Sequence, residues 1–245
     1  MSKKNRTNDR ASRAAAALEE QQRQEKRRRN LMVAGVVGAI LVIVAIGFLI
    51  SRSLDTSADV TADSASSSST YGVTIGPDSA PNNVVIYEDF LCPYCAQLEK
   101  ATRDDLAKLA ADGKVQVEYR PFNWLTQAGD YSERSAGAFS IVLDKSGPDV
   151  AKKFHDLLFE NQPSESGPFP DDDELVKLAV EAGADESDVR GPIENGDGAD
   201  WVAAATKAAV ATGLQGTPTV LLNGEVFQSG TTIDDLANDL IAKLQ

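Results

Sequence analysis

The chain has 245 residues, with 37 Asp or Glu against 24 Lys or Arg, a formal net charge of −13, two cysteines and a single histidine. That length suits one packed domain with appendages. The acidic balance argues against a nucleic-acid surface, since phosphate contacts need basic side chains, and two Cys with one His are too few for a four-ligand protein zinc site.

Residues 1–30 depart from the rest, carrying ten Lys or Arg against four Asp or Glu (Asp9, Glu19, Glu20, Glu25), a net of +6 that leaves −19 for the remainder. They read as a basic cytoplasmic tail, the solvated flank of an anchor. Residues 31–50, Leu31 to Ile50, form a run of twenty residues without a charge, the length of an apolar helix that spans the hydrocarbon core. Arg27, Arg28 and Arg29 abut its start and only Arg52 lies just beyond its end. The positive-inside rule therefore predicts a single-pass membrane protein with its N-terminus in the cytoplasm and its acidic domain outside. The alternative is a cleaved signal peptide, but the basic region is long and the apolar run exceeds the usual ~7–15 residues. Residues 51–70 hold eight Ser and three Thr, a flexible Ser-rich linker with a reach of roughly 25 Å. It would hold the domain near the membrane, where a partner embedded in the same bilayer meets it at high effective concentration.

Residues 71–245 carry the folded domain. Val84 to Tyr87, β-branched and aromatic after the turn-rich Gly76–Pro81 segment, reads as a buried strand. From Pro93 the spacing becomes helical, with Cys95, Leu98, Thr102, Leu106 and Leu109 on one face and Asp112-Gly113 as the stop. Val115 to Tyr119 alternates as a strand, completing a strand, helix, strand unit that suits a right-handed parallel crossover. Residues about 127–213 show helical patterns alone, at Tyr131–Asp144, Asp149–Phe159, Asp172–Ala182 and Gly198–Ala211, and read as an all-helical insertion. Their apolar stripes, Phe139, Ile141, Val142, Phe154, Leu157, Leu158, Leu175, Leu178 and Trp201, are core positions rather than a ligand box. Thr219–Leu222 is a short strand, Asn223-Gly224 a hairpin turn and Glu225–Gln228 its partner. A final helix follows, capped by Thr231 or Thr232, with Ile233, Leu236, Leu240 and Leu244 on one stripe.

The two cysteines stand three apart in Cys92-Pro93-Tyr94-Cys95, after a strand and at the start of a helix. A sulfur at a helix N-terminus faces unpaired N–H groups and the positive end of the dipole, so the Cys92 pKa is expected to be lowered. Pro93 suits the first helical position, having no N–H to lose. Cys95 lies on the buried side, which makes Cys92 the nucleophile. The expected chemistry is thiol-disulfide exchange through a Cys92–Cys95 disulfide, without metal or other cofactor. The alternative is a purely structural disulfide, allowed in an oxidising compartment, although so short a loop removes little entropy from the unfolded chain. The second feature is Gly216-Thr217-Pro218-Thr219 at the entry to a strand, where proline demands a special conformation, or else marks an ordinary turn.

Strand, Cys-Pro-Tyr-Cys and this proline, in that order, resemble the thioredoxin superfamily and within it the DsbA-like family. Further carriers are Tyr87-Glu88-Asp89-Phe90 before the motif and Leu158-Phe159-Glu160-Asn161-Gln162 in the helical segment. The resemblance covers about residues 71–245. It implies a thioredoxin-like α/β fold, a central mixed sheet flanked by helices, with Pro218 as the cis-proline packed against the motif and Thr217 offering backbone groups to an extended substrate. It also implies oxidation of paired thiols in exported proteins and reoxidation by a membrane quinone-linked thiol oxidase. Two positions depart from the family. Tyr94 stands where DsbA oxidases often have His, and Ile86 stands where related proteins carry a buried acid six residues before the first Cys. Glu88 or Asp89 is then a candidate for proton transfer, against the ordinary reading of carboxylates as surface charge. His155, alone on a helix, reads as packing or surface. Competing functions are a disulfide reductase or isomerase outside the cytoplasm, and a redox-silent binding or scaffold module.

Overall fold

The computed structural model describes residues 71–245, so the tail, the apolar run and the linker read from the sequence lie outside the described residues. Among the described residues no helix is long and apolar enough to cross a membrane. Five strands, β1 (Val73–Ile75), β2 (Asn82–Glu88), β3 (Val115–Pro121), β4 (Thr219–Leu222) and β5 (Glu225–Val226), form one sheet in the order β1-β3-β2-β4-β5. The central pair β2 and β3 is parallel, with Ile86 opposite Tyr119, and the remaining pairs are antiparallel. The parallel pair is joined by α1 (Pro93–Ala111), the crossover that a parallel connection requires.

Strand alternation decides which face each β2 residue occupies. Val84 and Ile86 join the main core, which also holds Leu98 and Leu106 of α1 and Leu240 and Leu244 of α7 (Ile233–Leu244). Val85 and Tyr87 join a smaller cluster on the opposite face with Phe122, Ala209, Leu214 and Leu221. Between β3 and β4 run five helices: α2 (Tyr131–Ser146), α3 (Pro148–Glu160), α4 (Asp172–Ala182), α5 (Glu186–Asn195) and α6 (Ala199–Ala211). Phe139, Phe154 and Leu158 of α2 and α3 belong to the same main core.

Two elements are additions to the sequence reading. β1 is only three residues, too short to show a period. α5 contains Gly191-Pro192, a breaker pair by propensity. It forms nonetheless, because Asp185 caps its start by accepting from Ser187 N, Arg190 bonds Glu186 and Glu194 one turn to either side, and Val189 and Ile193 are buried. The hairpin turns at Asn223 and Gly224, both at positive φ, the backbone that an Asn-Gly turn supplies. Of the two candidate caps of α7, Thr232 serves: its side chain accepts from Asp235 N, and Asp235 bonds back to the Thr232 amide.

Candidate active site

β2 ends at Glu88, and the next four residues fold into the turn that launches α1. Cys92 N donates to Asp89 O at 2.9 Å, while Cys92 O accepts from Cys95 N and Ala96 N at 3.1 and 3.2 Å. Cys92 is thus the N-cap of α1 with Pro93 at the first helical position. Gln162, just past α3, clamps this turn, its Nε2 donating to Phe90 O at 2.9 Å and to Cys92 O at 3.0 Å. From the other side comes the loop before β4, where the Thr217–Pro218 peptide is cis and Thr217 O lies 3.4 Å from Cys92 Sγ, accepting from the thiol. Both cysteines are free thiols and both residues are buried.

Three positions apart, the two sulfurs have opposite surroundings. A hydrogen bond from the Cys95 thiol, opposed by burial and assisted by Thr217 and the Cys95 and Tyr94 amides, lowers the Cys92 pKa from 9.0 to about 6. Burial, the hydrogen bond and charge of Cys92, and the nearby Glu88 carboxylate push the Cys95 thiol well above its ordinary value, while the Asp89 backbone amide pulls the other way.

Neither candidate carboxylate lies on the surface, which corrects the ordinary surface reading. Asp89 is fully buried. Its Oδ1 accepts from Leu91 N at 2.8 Å and Ser132 Oγ at 2.7 Å, and its Oδ2 from Trp124 N at 2.8 Å and Leu125 N at 2.9 Å. With both oxygens engaged, Asp89 ties the motif turn to the segment after β3 and to α2. Glu88 falls on the same face of β2 as Ile86, toward α1 and α3. Its Oε1 accepts from His155 Nε2 at 2.6 Å, and both residues are buried. His155 therefore belongs to the site, contrary to its reading as a packing or surface residue.

His155 opens a chain of charges. Its Nδ1 lies 2.9 Å from Asp156 Oδ1 and 3.9 Å from Glu99 Oε1. Lys152 Nζ bonds Asp156 Oδ1 and lies 3.4 Å from Glu99 Oε1. Burial alone would lower the His155 pKa, but the Glu88 charge, the hydrogen bonds to Asp156 and Glu88 and the Glu99 charge raise it to about 9. Burial raises Glu99 to about 7 against the pull of His155 and Lys152. Asp156, despite its burial, is held at about 2 by the hydrogen bond and charge of His155 and by Lys152. Ligand atoms of Glu99, His155 and Asp156 lie within 4.8 Å of one another, but the Lys152 ammonium already supplies the cation these carboxylates would share with a metal.

Tyr94, between the two cysteines in the chain, is 61% exposed. With Thr217, Pro218, Phe227, Ile233 and Leu236 it lines an open groove of about 720 Å³. A second cavity of about 350 Å³, lined by residues of α2, α4, α5 and α6, contains none of these residues.

The thioredoxin family model matches residues 68–241. The chain belongs to the thioredoxin family. Its structural neighbours within that family are DsbA-like thiol-disulfide oxidoreductases. The reduced disulfide bond oxidoreductase DsbG of Mycobacterium tuberculosis is 30% identical, with a TM-score of 0.60 over 71% of this chain and 85% of that one. DsbA of the same organism, in its oxidised form, is also 30% identical, with a TM-score of 0.59 over 71% of this chain and 90% of that one. Among curated relatives, the Na(+)/H(+) antiporter NhaA 3 of Salinispora tropica is 30% identical over 162 residues, 66% of this chain. The alignment spans only 23% of the antiporter's length.

Proposed function

We propose that this protein is an extracytoplasmic thiol-disulfide oxidoreductase that oxidises paired thiols of exported proteins, with Cys92 as nucleophile and Cys95 as resolving thiol. The observation that carries this reading is the placement of Cys92 as N-cap of α1, with the Cys95 thiol and the amides of Tyr94 and Cys95 lowering its pKa to about 6. A stabilised Cys92 thiolate stabilises the reduced protein, and so makes the Cys92–Cys95 disulfide the stronger oxidant.

In the oxidised protein a substrate thiolate attacks Cys92 Sγ, the Cys92–Cys95 bond breaks, and Cys95 leaves as a thiolate that takes a proton. The substrate's second thiolate then attacks the substrate sulfur of the mixed disulfide. It forms the substrate disulfide and releases Cys92 as a thiolate, so two electrons pass to the protein. Thr217 and Pro218, beside Cys92 on the groove, are the residues for holding an extended substrate. Glu88, buried on the face of β2 that packs toward α1 and bonded to His155, is the carboxyl for the Cys95 proton, and its charge adds to the rise of that thiol. Asp89, with four donors on its oxygens, is the anchor of the loop. No metal or other cofactor enters these steps. Reoxidation falls to a membrane quinone-linked thiol oxidase, by analogy with the family, and the apolar run at residues 31–50 supports a membrane anchor with the domain outside.

A Cys95→Ala variant tests the reading: it is expected to accumulate mixed disulfides on Cys92 with exported proteins, identified by mass spectrometry, whereas Cys92→Ser yields none. Unimpaired oxidation of reduced substrates by Cys92→Ser would instead leave a redox-silent binding module. Equilibrium with glutathione sets the direction of electron flow, and a potential near that of cytosolic thioredoxin, about −270 mV, would favour the reductase.

A further inference from the structure

Cys95 must release a proton each time it attacks Cys92 and recover one each time it is expelled. Hydrocarbon and the motif turn bury it, and Glu88, the carboxyl whose charge reaches it, is itself buried. Behind Glu88 the structure supplies a continuous set of polar contacts leading outward: His155 at 2.6 Å, then Asp156 at 2.9 Å, whose side chain is 24% exposed. Glu99, one turn after Cys95 on α1, and Lys152 close the set. Two basic side chains thus face three acidic ones, leaving one carboxyl without a full countercharge of its own.

We propose that Glu88, His155, Asp156, Lys152 and Glu99 act as one buried proton buffer for Cys95, with His155 and Glu99 as positioning residues for its proton transfer. This rests on the reading of Glu88 as the proton partner of Cys95. As a mixed disulfide on Cys92 resolves, the Cys95 thiol passes its proton to the set through Glu88, and the resulting thiolate attacks Cys92 Sγ. The Cys92–Cys95 bond forms, the bond from Cys92 to the substrate breaks, and the substrate leaves as a thiolate. The proton passes to water at Asp156. When the disulfide opens, the same set returns a proton to the Cys95 thiolate. Among the described residues, His155 is faced by Glu88 from β2, Glu99 from α1, the Tyr119 ring from β3 at 4.7 Å, Lys152 and Asp156 from α3, and the rings of Phe90, Phe139 and Phe159. Arg103 and Glu160 pair with each other at the outer edge. Glu99, at about 7, is the member that changes charge near neutral pH.

The test isolates the resolving step. Reduced protein is mixed with excess oxidised glutathione and quenched in acid, and mass spectrometry follows decay of the glutathione adduct on Cys92 from pH 5.5 to 8.5. The adduct has no Cys92 proton to lose, and burial with the Glu88 charge still holds the Cys95 thiol above its ordinary value, so an inflection near pH 7 reports the buried set. Glu99→Gln is expected to remove that inflection. His155→Gln is expected to slow resolution at pH 7 roughly ten- to hundredfold, at or below the lower end of the range for a lost acid–base group because His155 acts through Glu88. The pH midpoint of Cys92 alkylation should stay in place in both variants, which separates proton transfer from general damage to the site. If Glu88→Gln slows resolution while Glu99→Gln and His155→Gln keep the wild-type pH profile, the buffer is overturned and Glu88 alone remains. If Glu88→Gln leaves resolution unchanged, both readings fall. Should His155→Gln fail to fold, the profile of Glu99→Gln decides.

Discussion

Cys92 and Cys95 occupy the cap and the first turn of one helix, yet the fold treats them as opposites. At the cap, hydrogen bonds converge on a sulfur that lies beside Thr217, and its pKa falls to about 6. Three residues on, the helix has turned its side chain inward, and burial together with neighbouring negative charge pushes the thiol up. Helix geometry alone creates much of this difference, because unpaired amides are confined to the first turn and a residue at the third position points into the core. Under the proposed function it gives the pair a direction, with Cys92 meeting the outside sulfur and Cys95 closing from behind.

The largest expected effect comes from removing the anchor that holds both sulfurs in their places. Asp89→Ala strips the acceptor from the Leu91, Trp124 and Leu125 amides and the Ser132 hydroxyl. At roughly 1–3 kcal/mol for each buried donor left unpaired, partly relieved by relaxation, a loss of about 4 kcal/mol is expected in urea unfolding. The Cys92 titration should drift back toward 9, narrowing the contrast between the sulfurs. An Asp89→Ala protein with wild-type stability and an unmoved Cys92 titration would show that the turn holds itself.

Redox state and pH sharpen the contrast more gently. The depressed Cys92 pKa contributes stability that is present above its unfolded value near 9 and is lost as pH falls through about 6, in the reduced protein only. His155, raised from 6.5 to about 9, contributes stability that is present below 6.5 and is lost as pH rises through 9, in both redox forms. Between pH 6.5 and 9 the oxidised protein should therefore lose stability, while in the reduced protein the two effects oppose each other. Urea unfolding of both forms at pH 6.5 and 9 measures this, and a gap between the forms that does not change with pH contradicts a stabilised thiolate.

Much of this site was legible in the sequence, because its central parts are local. Strand, cap proline and cysteine spacing are contiguous, and they already implied a lowered Cys92 pKa and an inward Cys95. Glu88 was legible in principle: it has the same parity as Ile86 along β2, so it presents its carboxyl to the same face, one strand repeat nearer the motif. The ordinary preference of carboxylates for solvent concealed it. His155 was not legible from spacing, since its partner Glu88 is 67 residues away and the helices between them set their meeting. Gln162 is similar: the resemblance singled out its segment, but the clamp on Phe90 O and Cys92 O exists only after α3 docks. α5 was missed because Gly191-Pro192 outweighs its caps in a propensity reading, whereas buried Val189 and Ile193 decide the fold.

The smallest expected effect concerns Tyr94, where the chain departs from the DsbA-like pattern at the second helical position. Its side chain is 61% exposed, so any charge placed there acts on Cys92 through solvent and is screened. Tyr94→His would add an imidazole that is partly protonated near neutral pH, beside a sulfur already favoured as thiolate. Cys92 should then titrate slightly below 6, and the equilibrium with glutathione should move toward the dithiol by roughly two- to fivefold, as for an exposed charge pair. The shift should shrink as salt rises from 0.01 to 0.5 M. If no shift appears even at low salt, the cap amides and the Cys95 thiol already set the thiolate's stability, and the contrast between the two sulfurs belongs to the helix rather than to the residue between them.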